Sequence, residues 1–446
     1  MHSSKYSEFT GASYEDVSIV PAQSSLTIDD IQTKTRIADR FYLNIPILSS
    51  ALDIVTEHDM AAAIARCGGL GVIHNNMPIG HQVEEVRKVK RLETKIIEKP
   101  IVVSAETPLA EALDLMRNFN ISGLPVIDME HKLAGILTNR DVRFASDLNQ
   151  PVSSRMTTEN LITVSKDIEP DAARKLMFEH RIEKLIIVDE QGKCAGLLTV
   201  KDLEQMKNNP DATRDSKGRL KVAAAVGIGK DGYDRAQALA DAEADIIIVD
   251  AVNGHHQDVL TVVSKISQLQ SSKIKVIAGN VVTGDGARAL IDCGAHAIKV
   301  GCKGRHSGVG VPALSAIMDV SDACSINSTP VIVDGGIFTA DDVAKAIAAG
   351  ADAVMLSHPL AGTDEAPGTI VYETRNTYKV REGARDKELR RPSYKGKTSQ
   401  VIETLIDGLK QSMVESASQT IEDLKYNTKF VRHHFMNAQD NEYAPD

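Results

Sequence analysis

The stretch AEADIIIVD, residues 242–250, decides the fold, and CGAHAIKVG (293–301) and AGADAVMLS (349–357) repeat its form. In each stretch, small residues at the end of a helix lead into an almost uninterrupted apolar run. Such a run without alternating polar residues indicates a strand that is buried on both faces, and strands separated by helix-length segments indicate a parallel sheet. The three stretches therefore predict successive βα units of one α/β fold.

Runs of this kind occur eight times outside the middle of the chain. They cover residues 45–50, 70–74, 222–228, 245–251, 274–280, 297–301, 330–336 and 353–357. Eight βα units close most naturally as a (β/α)8 TIM barrel. The alternative is a doubly wound open sheet, but no Gly-x-Gly-x-x-Gly follows the first strand, as that fold's dinucleotide site requires.

An internal duplication interrupts the series. AGILTNRD begins at residue 134 and AGLLTVKD at residue 195, 61 positions later, and the same offset superposes Met116 on Met177. Each copy has the pattern of a βαββα unit that buries its faces against the other copy. We therefore expect a first barrel part over 1–94, repeats over 95–152 and 153–209, and a second barrel part over 210–446.

Each repeat carries the pattern Gly-x-x-Thr-x-x-Asp, which resembles the nucleotide-binding signature of tandem CBS (Bateman) domains. The residues concerned are Thr138, Asp141, Thr199 and Asp202. A Thr hydroxyl and an Asp carboxylate at a strand-to-helix step can hold a phosphate and ribose hydroxyls. Alternatively, the Thr caps the helix and the Asp favours its first turn. The first interpretation implies an adenine nucleotide at the repeat pair.

Composition excludes several classes of function. The 446 residues carry a net charge of −10, which argues against broad electrostatic binding to nucleic acid or to an anionic membrane. The beginning of the sequence has no leader pattern and no run reaches membrane-spanning length, so we expect a cytoplasmic protein. The five cysteines are scattered and lack CxxC spacing, which indicates neither a disulfide framework nor a metal site.

Polar residues and glycines follow the predicted strands. In a (β/α)8 barrel the active site gathers at the carboxyl ends of the strands. The residues there form a ring of candidates, which are Ser49, Ser50, Ala51, Leu52, Asp53, His74, Asn75, Asn76, Asp250, Asn253, Gly254, Gly279, Asn280, Gly301, Cys302, Asp334, Gly335, Gly336, Ser357 and His358.

The chain resembles the IMP dehydrogenase and GMP reductase family over nearly its whole length. The stretches that carry the resemblance include VDAVNGHH, AGNVVTGDGARALIDCGAHAIKVG, GVGVPALSAI, VIVDGGIFTADDVAKAIAAGADAVML and AGTDEAPG. The resemblance implies an oxidoreductase that acts on a purine nucleoside monophosphate with NAD or NADP, assembled as a homotetramer or octamer.

The resemblance also assigns roles to individual positions. Asp334 would hold the ribose hydroxyls of the substrate, and the backbone at Gly335-Gly336 and Ser357-His358 would receive its 5′-phosphate. Ser50 and Gly301 join this substrate set, whereas Asp250, Asn253, Gly254 and Asn280 would meet the nicotinamide cofactor.

Two departures from the family pattern leave the activity open. Only CKGRHS separates Gly301 from Gly308, so the loop that carries the family's nucleophilic cysteine is shortened. Cys302 either replaces that nucleophile, with Lys303, Arg305 and His306 favouring its thiolate, or is an inert loop residue. The segment 371–396 is likewise shorter than the family's flap. A catalytically silent nucleotide-binding regulatory homologue and a non-redox enzyme on a purine nucleotide therefore remain as alternatives.

Overall fold

A computed structural model describes residues 11–93, 97–98, 100–119, 121–145, 147–269, 274–301, 308–373, 376–383 and 391–433. The chain divides into two compact units. A barrel unit takes the chain before residue 93, residues 211–214 and the chain from 220 onward, and an inserted unit takes 93–210 and 215–219. The chain passes from the barrel unit to the inserted unit after residue 92 and returns after residue 210, and residues 215–219 group again with the inserted unit.

The strands, in chain order, are β1 Val17–Ile19, β2 Thr35–Ala38, β3 Phe41–Leu43, β4 Ile47–Ser49, β5 Gly71–Ile73, β6 Ile97–Glu98, β7 Val103–Ser104, β8 Gly123–Ile127, β9 Leu133–Thr138, β10 Thr163–Val164, β11 Lys184–Val188, β12 Cys194–Thr199, β13 Val222–Val226, β14 Ile246–Asp250, β15 Lys275–Val281, β16 Ala297–Val300, β17 Val331–Asp334, β18 Ala353–Leu356, β19 Thr369–Tyr372, β20 Thr377–Val380 and β21 Phe430–Arg432.

The α-helices are α1 His58–Arg66, α2 Ile79–Leu92, α3 Leu109–Asn118, α4 Asn139–Val142, α5 Pro170–His180, α6 Val200–Asn208, α7 Gly229–Asp241, α8 Gln257–Ser267, α9 Gly284–Asp292, α10 Ala313–Ser325, α11 Ala340–Ala348, α12 Thr398–Glu415 and α13 Ile421–Asn427.

Eight parallel strands form the barrel in the order β4-β18-β17-β16-β15-β14-β13-β5. The ends of this sheet meet through a parallel bridge between Leu48 and Leu70, which closes the ring. A helix follows each strand before the next, as the βα stretches of the sequence require. The prediction of a (β/α)8 barrel is confirmed, and its eight strands are those expected, with ends that differ by a few residues.

Strand residues alternate between two cores, which explains the continuous apolar runs. On β14, Ile246 and Ile248 face the barrel interior, whereas Ile247 and Val249 pack in the layer shared with the helices. The β2–β3 hairpin contributes Ile37, Phe41 and Leu43 to the interior cluster. The barrel is therefore filled with side chains, and its chemistry is confined to the strand ends.

The inserted unit contains two βαββ repeats, each followed by a helix. In the first repeat Gly123 pairs with Thr138 and Val126 with Gly135, and in the second Lys184 pairs with Thr199 and Ile187 with Gly196. The 61-residue offset therefore holds in the strand register as well as in the sequence. The short β6 pairs with β12 and so joins the sheet of the second repeat, an arrangement that the duplication did not predict.

No helix in the described ranges is both long and apolar enough to cross a bilayer.

Candidate functional site

A buried lysine lies between two carboxylates at the carboxyl ends of the barrel strands. Lys299 of β16 is 1% exposed, and its Nζ donates to Oδ1 of Asp250 at 2.6 Å and to Oδ2 of Asp334 at 2.5 Å. Burial by itself lowers the pKa of Lys299, but the two carboxylates outweigh it and the pKa is raised. The three groups thus form a charged cluster that joins the ends of β14, β16 and β17.

Asn280 lies beside this cluster with one polar atom unused. Its Nδ2 is 3.4 Å from Oδ2 of Asp334, and its buried Oδ1 has no hydrogen-bond partner in the part of the chain that the structure describes. Because buried polar atoms are normally paired, an acceptor in this state indicates a place for an external donor.

Backbone hydrogen bonds fix the loop after β14 against Asn280. The amide of Ala251 donates to the carbonyl of Gly279 at 2.8 Å, and the amide of Asn280 donates back to Ala251 at 2.7 Å. The amide of Gly254 donates to the carbonyl of Asn280 at 2.7 Å. Asp250, Gly254 and Asn280 are therefore held in one rigid arrangement. Asn253 is exposed, and its Oδ1 accepts from the amide of His255, so its side chain closes a turn within its own loop.

Glycines bring the backbone close to Asp334. A Cβ on Gly301 would lie 2.2 Å from the carbonyl oxygen of Asp334, so β16 and β17 can approach here only without a side chain. Gly335 and Gly336 have φ values of 109° and 75°, in the left-handed region that glycine adopts readily. The chain turns sharply after Asp334 and presents backbone groups at the strand end.

Ser357 and His358 follow the neighbouring strand β18. The carbonyl of Ser357 accepts from the amides of Leu360 and Ala361, and the carbonyl of His358 accepts from Lys395 Nζ. The His358 ring packs edge-on against Phe338, with centroids 5.4 Å apart. Burial and the nearby Lys395 lower the pKa of His358, which favours its neutral form.

Ser50 occupies the end of β4, on the other side of β18. Its amide donates to the carbonyl of Leu356 at 2.9 Å, and its carbonyl accepts from Oγ1 of Thr56 at 2.7 Å. Its buried Oγ has no hydrogen-bond partner among the described residues. Like Asn280, Ser50 is thus held by its backbone with a polar atom left for another molecule.

Sequence reasoning missed Lys299 and the contacts of a second polar network, in which it named His74 only as a strand-end candidate and Arg381 only as a cation of segment 371–396. The signal for Lys299 was a charged residue inside the apolar run AIKVG. In the second network, Oε1 of Glu57 lies 2.7 Å from a guanidinium nitrogen of Arg381 and 3.5 Å from Nε2 of the buried His74. Burial opposes ionisation of Glu57, but the hydrogen bonds from His74 and Arg381 lower its pKa to about 2. The contact between Glu57 and Arg381 could not be predicted from spacing, because it joins segments over 300 residues apart.

Cys302, the predicted nucleophile, lies outside the described residues. The four described cysteines do not offer an alternative thiolate. Burial raises the pKa of all four, to about 11 for Cys67 and about 12 for Cys324, and also that of Cys194 and Cys293. In the described ranges no three His, Cys, Asp or Glu side chains are grouped as metal ligands.

The inserted unit holds a separate cavity of about 420 Å³. Thr138 and Asp141 of the first repeat line it together with Arg181 and Lys184 of the second. In both repeats the Thr and Asp also form a capping box, since Asp141 accepts from the amide and hydroxyl of Thr138 and Asp202 does the same for Thr199. The capping interpretation is therefore realised in both copies, and Asp141 additionally borders a cavity.

Comparison with known proteins agrees with this architecture. Residues 11–391 match the family model described as IMP dehydrogenase / GMP reductase domain. Inosine-5′-monophosphate dehydrogenase of Aquifex aeolicus is 44% identical over 95% of this chain and 93% of its own length, and that of Rhizobium tropici is 42% identical over 94% and 91%.

Solved structures give the same result. A variant of GMP reductase from Trypanosoma brucei in complex with guanosine 5′-monophosphate superposes with a TM-score of 0.86 at 33% identity and covers 96% of both chains. The same enzyme in complex with guanosine 5′-triphosphate gives a TM-score of 0.82 at 34% identity, over 96% of this chain and 99% of that one. The chain belongs to the IMP dehydrogenase / GMP reductase family.

Proposed function

We propose that this chain is a purine-nucleotide oxidoreductase that acts on a purine nucleoside monophosphate with NAD or NADP. The observation that carries the proposal is the charged cluster of Asp250, Lys299 and Asp334 at the carboxyl ends of the barrel strands. In a filled (β/α)8 barrel this end is where ligands bind. Family membership names the type of reaction. The cluster marks the site where we propose that the substrate and the cofactor bind.

Asp334 is the proposed anchor of the nucleotide. A carboxylate is an acceptor with two oxygens, so it can receive both ribose hydroxyls, and such charge-assisted bonds are stronger than neutral ones. The turn at Gly335-Gly336 and the start of the loop at Ser357-His358 follow adjacent strands, and their backbone amides are the proposed donors to the 5′-phosphate. Gly301 permits the close approach of β16 to β17 beside Asp334. The buried Oγ of Ser50 can donate a hydrogen bond to the ligand or accept one from it.

Asp250, Gly254 and Asn280 are the proposed cofactor side. The unused Oδ1 of Asn280 can accept from an amide N–H such as that of a nicotinamide carboxamide, so the residues fit the group. Asn253 belongs to the same loop, where it shapes the turn. Bound nicotinamide would supply the donor or acceptor of a hydride.

Cys302 is the proposed nucleophile, which would add through its thiolate to purine C2. The raised pKa of every described cysteine supports this choice, because none of them is activated. The loop between Gly301 and Gly308 has only six residues, and this shortness supports a second candidate function, that of a catalytically silent nucleotide-binding regulator. A shortened loop that misplaces the thiol by ~1 Å can lower the rate by ~100-fold.

Turnover and binding assays separate these functions. IMP, GMP and XMP are each incubated with NAD(H) and NADP(H) at 340 nm, beside nucleotide-induced thermal shifts. An active enzyme changes absorbance with one pair, and Cys302→Ser abolishes that change while the thermal shift persists. Cys293→Ser is the matched control and retains activity. Thermal shifts without turnover select the regulator, and full turnover by Cys302→Ser excludes the thiol mechanism.

For the inserted unit we propose a regulatory adenine-nucleotide site. The cavity that Thr138 and Asp141 border is also lined by the basic residues Arg140, Arg181 and Lys184, whose side chains suit phosphate oxygens. Thr199 and Asp202 are the corresponding residues of the second repeat and do not line this cavity, so we propose them for a second, equivalent position. We further propose that the chain assembles as a homotetramer or octamer through which this site acts.

A further inference from the structure

We infer that Lys299 is a positioning residue that sets Asp334 on the nucleotide side and Asp250 on the cofactor side with a single ammonium group. This inference rests on the proposed function, because it assigns a role within that site. It goes beyond the family match, which names neither the lysine nor a link between the two carboxylates.

The strand register explains how one lysine reaches both carboxylates. Asp250 of β14 pairs with Gly279 of β15, and Gly279 pairs with Lys299 of β16, so the three residues form one row across the sheet. A Cβ on Gly279 would lie 2.7 Å from the Cβ of Lys299. The intervening strand therefore carries no side chain in this row, and Nζ of Lys299 reaches Asp250 two strands away while it also contacts Asp334 on the adjacent strand.

The cluster is arranged for orientation more than for stability. Taking an ammonium out of water costs several kcal/mol, and buried ion pairs often contribute little net stability. Here the two contacted oxygens lie within about 5 Å of each other, since both bind one nitrogen. Two ionised carboxylates at that distance repel each other unless a cation lies between them. Lys299 lets both remain ionised with fixed orientations, as acceptors of ligand hydroxyl and amide groups must be.

The test compares Lys299→Met with Lys299→Arg. Lys299→Met removes the ammonium but keeps an unbranched side chain, and we expect GMP and IMP to bind about tenfold or more weakly. Without the ammonium, repulsion between the two carboxylates should raise the pKa of one of them, so nucleotide affinity of this variant should fall more steeply on acidification than that of wild type. The ligand's own phosphate titrates equally with every variant, so only a difference from wild type is informative, and Lys299→Arg should restore much of the wild-type affinity and pH dependence.

Lys90→Met is the matched control. Lys90 is another buried lysine whose Nζ binds a carboxylate at 2.6 Å, that of Asp245, which directly precedes β14 and so lies at the opposite end of the strand from Asp250. Lys90→Met should lower the melting temperature of the protein without altering its nucleotide affinity or the pH dependence of that affinity. Calorimetry with GMP and IMP on all four proteins, checked for folding by circular dichroism, gives the answer.

Each result decides one question. If wild type binds and Lys299→Met binds equally well with the same pH profile, the positioning role is wrong and the proposed function stands. If Lys90→Met reproduces the loss seen in Lys299→Met, the effect is one of general stability and the inference is wrong. If wild type binds no purine nucleotide, both the proposed function and this inference are overturned.

Discussion

Asp334 is the side chain on which the proposed nucleotide recognition depends, and Asp334→Asn tests it with little change of shape. The amide cannot accept ribose hydroxyls with both of its heavy atoms, so purine nucleotide affinity should fall about tenfold or more. Calorimetry with GMP and IMP measures the change. Asp319→Asn is the control, because Asp319 accepts only a structural bond from the amide of Gly284 among its described contacts. Equal nucleotide affinity in wild type and Asp334→Asn would remove Asp334 from the site.

Glu57 should make the free energy of unfolding depend on pH in the acidic range. Its pKa is about 2 in the folded chain against 4.5 for an ordinary glutamate. A lowered pKa means that the stabilising contribution is complete above about pH 4.5 and is lost as pH falls towards about 2. Glu57→Gln should therefore cost roughly 2 kcal/mol at neutral pH, and the difference from wild type should shrink on acidification.

Urea unfolding of wild type and Glu57→Gln from about pH 7 to about pH 3 measures this effect. Glu130→Gln serves as the control, because Glu130 pairs with Lys132 on the exposed surface, where ion pairs contribute little. A stability difference between wild type and Glu57→Gln that stays constant with pH would contradict the proposed network with His74 and Arg381.

At the scale of single residues, the sequence predicted positions better than contacts. Asp250, Asn280 and Asp334 could be placed at strand ends because apolar runs stop at them, and the structure brings these three together. The pairing of Lys299 with two of them depends on strand order and register, which one sequence does not encode locally. The contacts of Glu57 with His74 and Arg381 could not be predicted for the same reason.

At the scale of elements, the junction between β16 and β17 tolerates no side chain at Gly301. Gly301→Ala would place a Cβ 2.2 Å from the carbonyl oxygen of Asp334 and 2.7 Å from Nδ2 of Asn280. One strand end must shift, so we expect a loss of about 1–3 kcal/mol in unfolding free energy together with weaker nucleotide binding.

Gly80→Ala is the control for Gly301→Ala. Gly80 lies in α2 with nothing within 4 Å of a Cβ, so alanine should raise stability by roughly 0.5–1 kcal/mol and leave binding unchanged. Thermal unfolding and calorimetry of both variants check the prediction. Wild-type behaviour of Gly301→Ala would show that the close approach of β16 and β17 is not required.

The elements themselves were largely predictable, for physical reasons. Apolar runs buried on both faces predicted all eight barrel strands, because a strand between a filled interior and a helix layer has no polar face. The duplication predicted two repeats of like pattern, and the same 61-residue offset relates their observed strand pairings. The sequence could not predict that β6 joins the sheet of the second repeat, since a two-residue strand has no periodicity of its own.

At the scale of the whole molecule, the nucleotide site proposed for the inserted unit would couple a nucleotide to assembly. A ligand that binds one assembly state more tightly than another shifts the population towards it. We expect ATP to change the mass of wild type in light scattering, with GTP as a second probe because a relative's structure contains it. Asp141→Asn combined with Asp202→Asn should abolish the response: asparagine retains a side-chain acceptor for helix capping but loses the carboxylate charge proposed to bind ribose hydroxyls.

The repeat supplies its own control for this last prediction. Asp128 and Asp189 are also related by the 61-residue offset, and each accepts two backbone amide bonds in an exposed turn. Asp128→Asn combined with Asp189→Asn removes the same charge from the same unit, yet neither residue lines the cavity. This double variant should respond to ATP as wild type does. If both double variants respond equally, the nucleotide acts elsewhere, and if wild type keeps one mass throughout, the inserted unit does not control assembly.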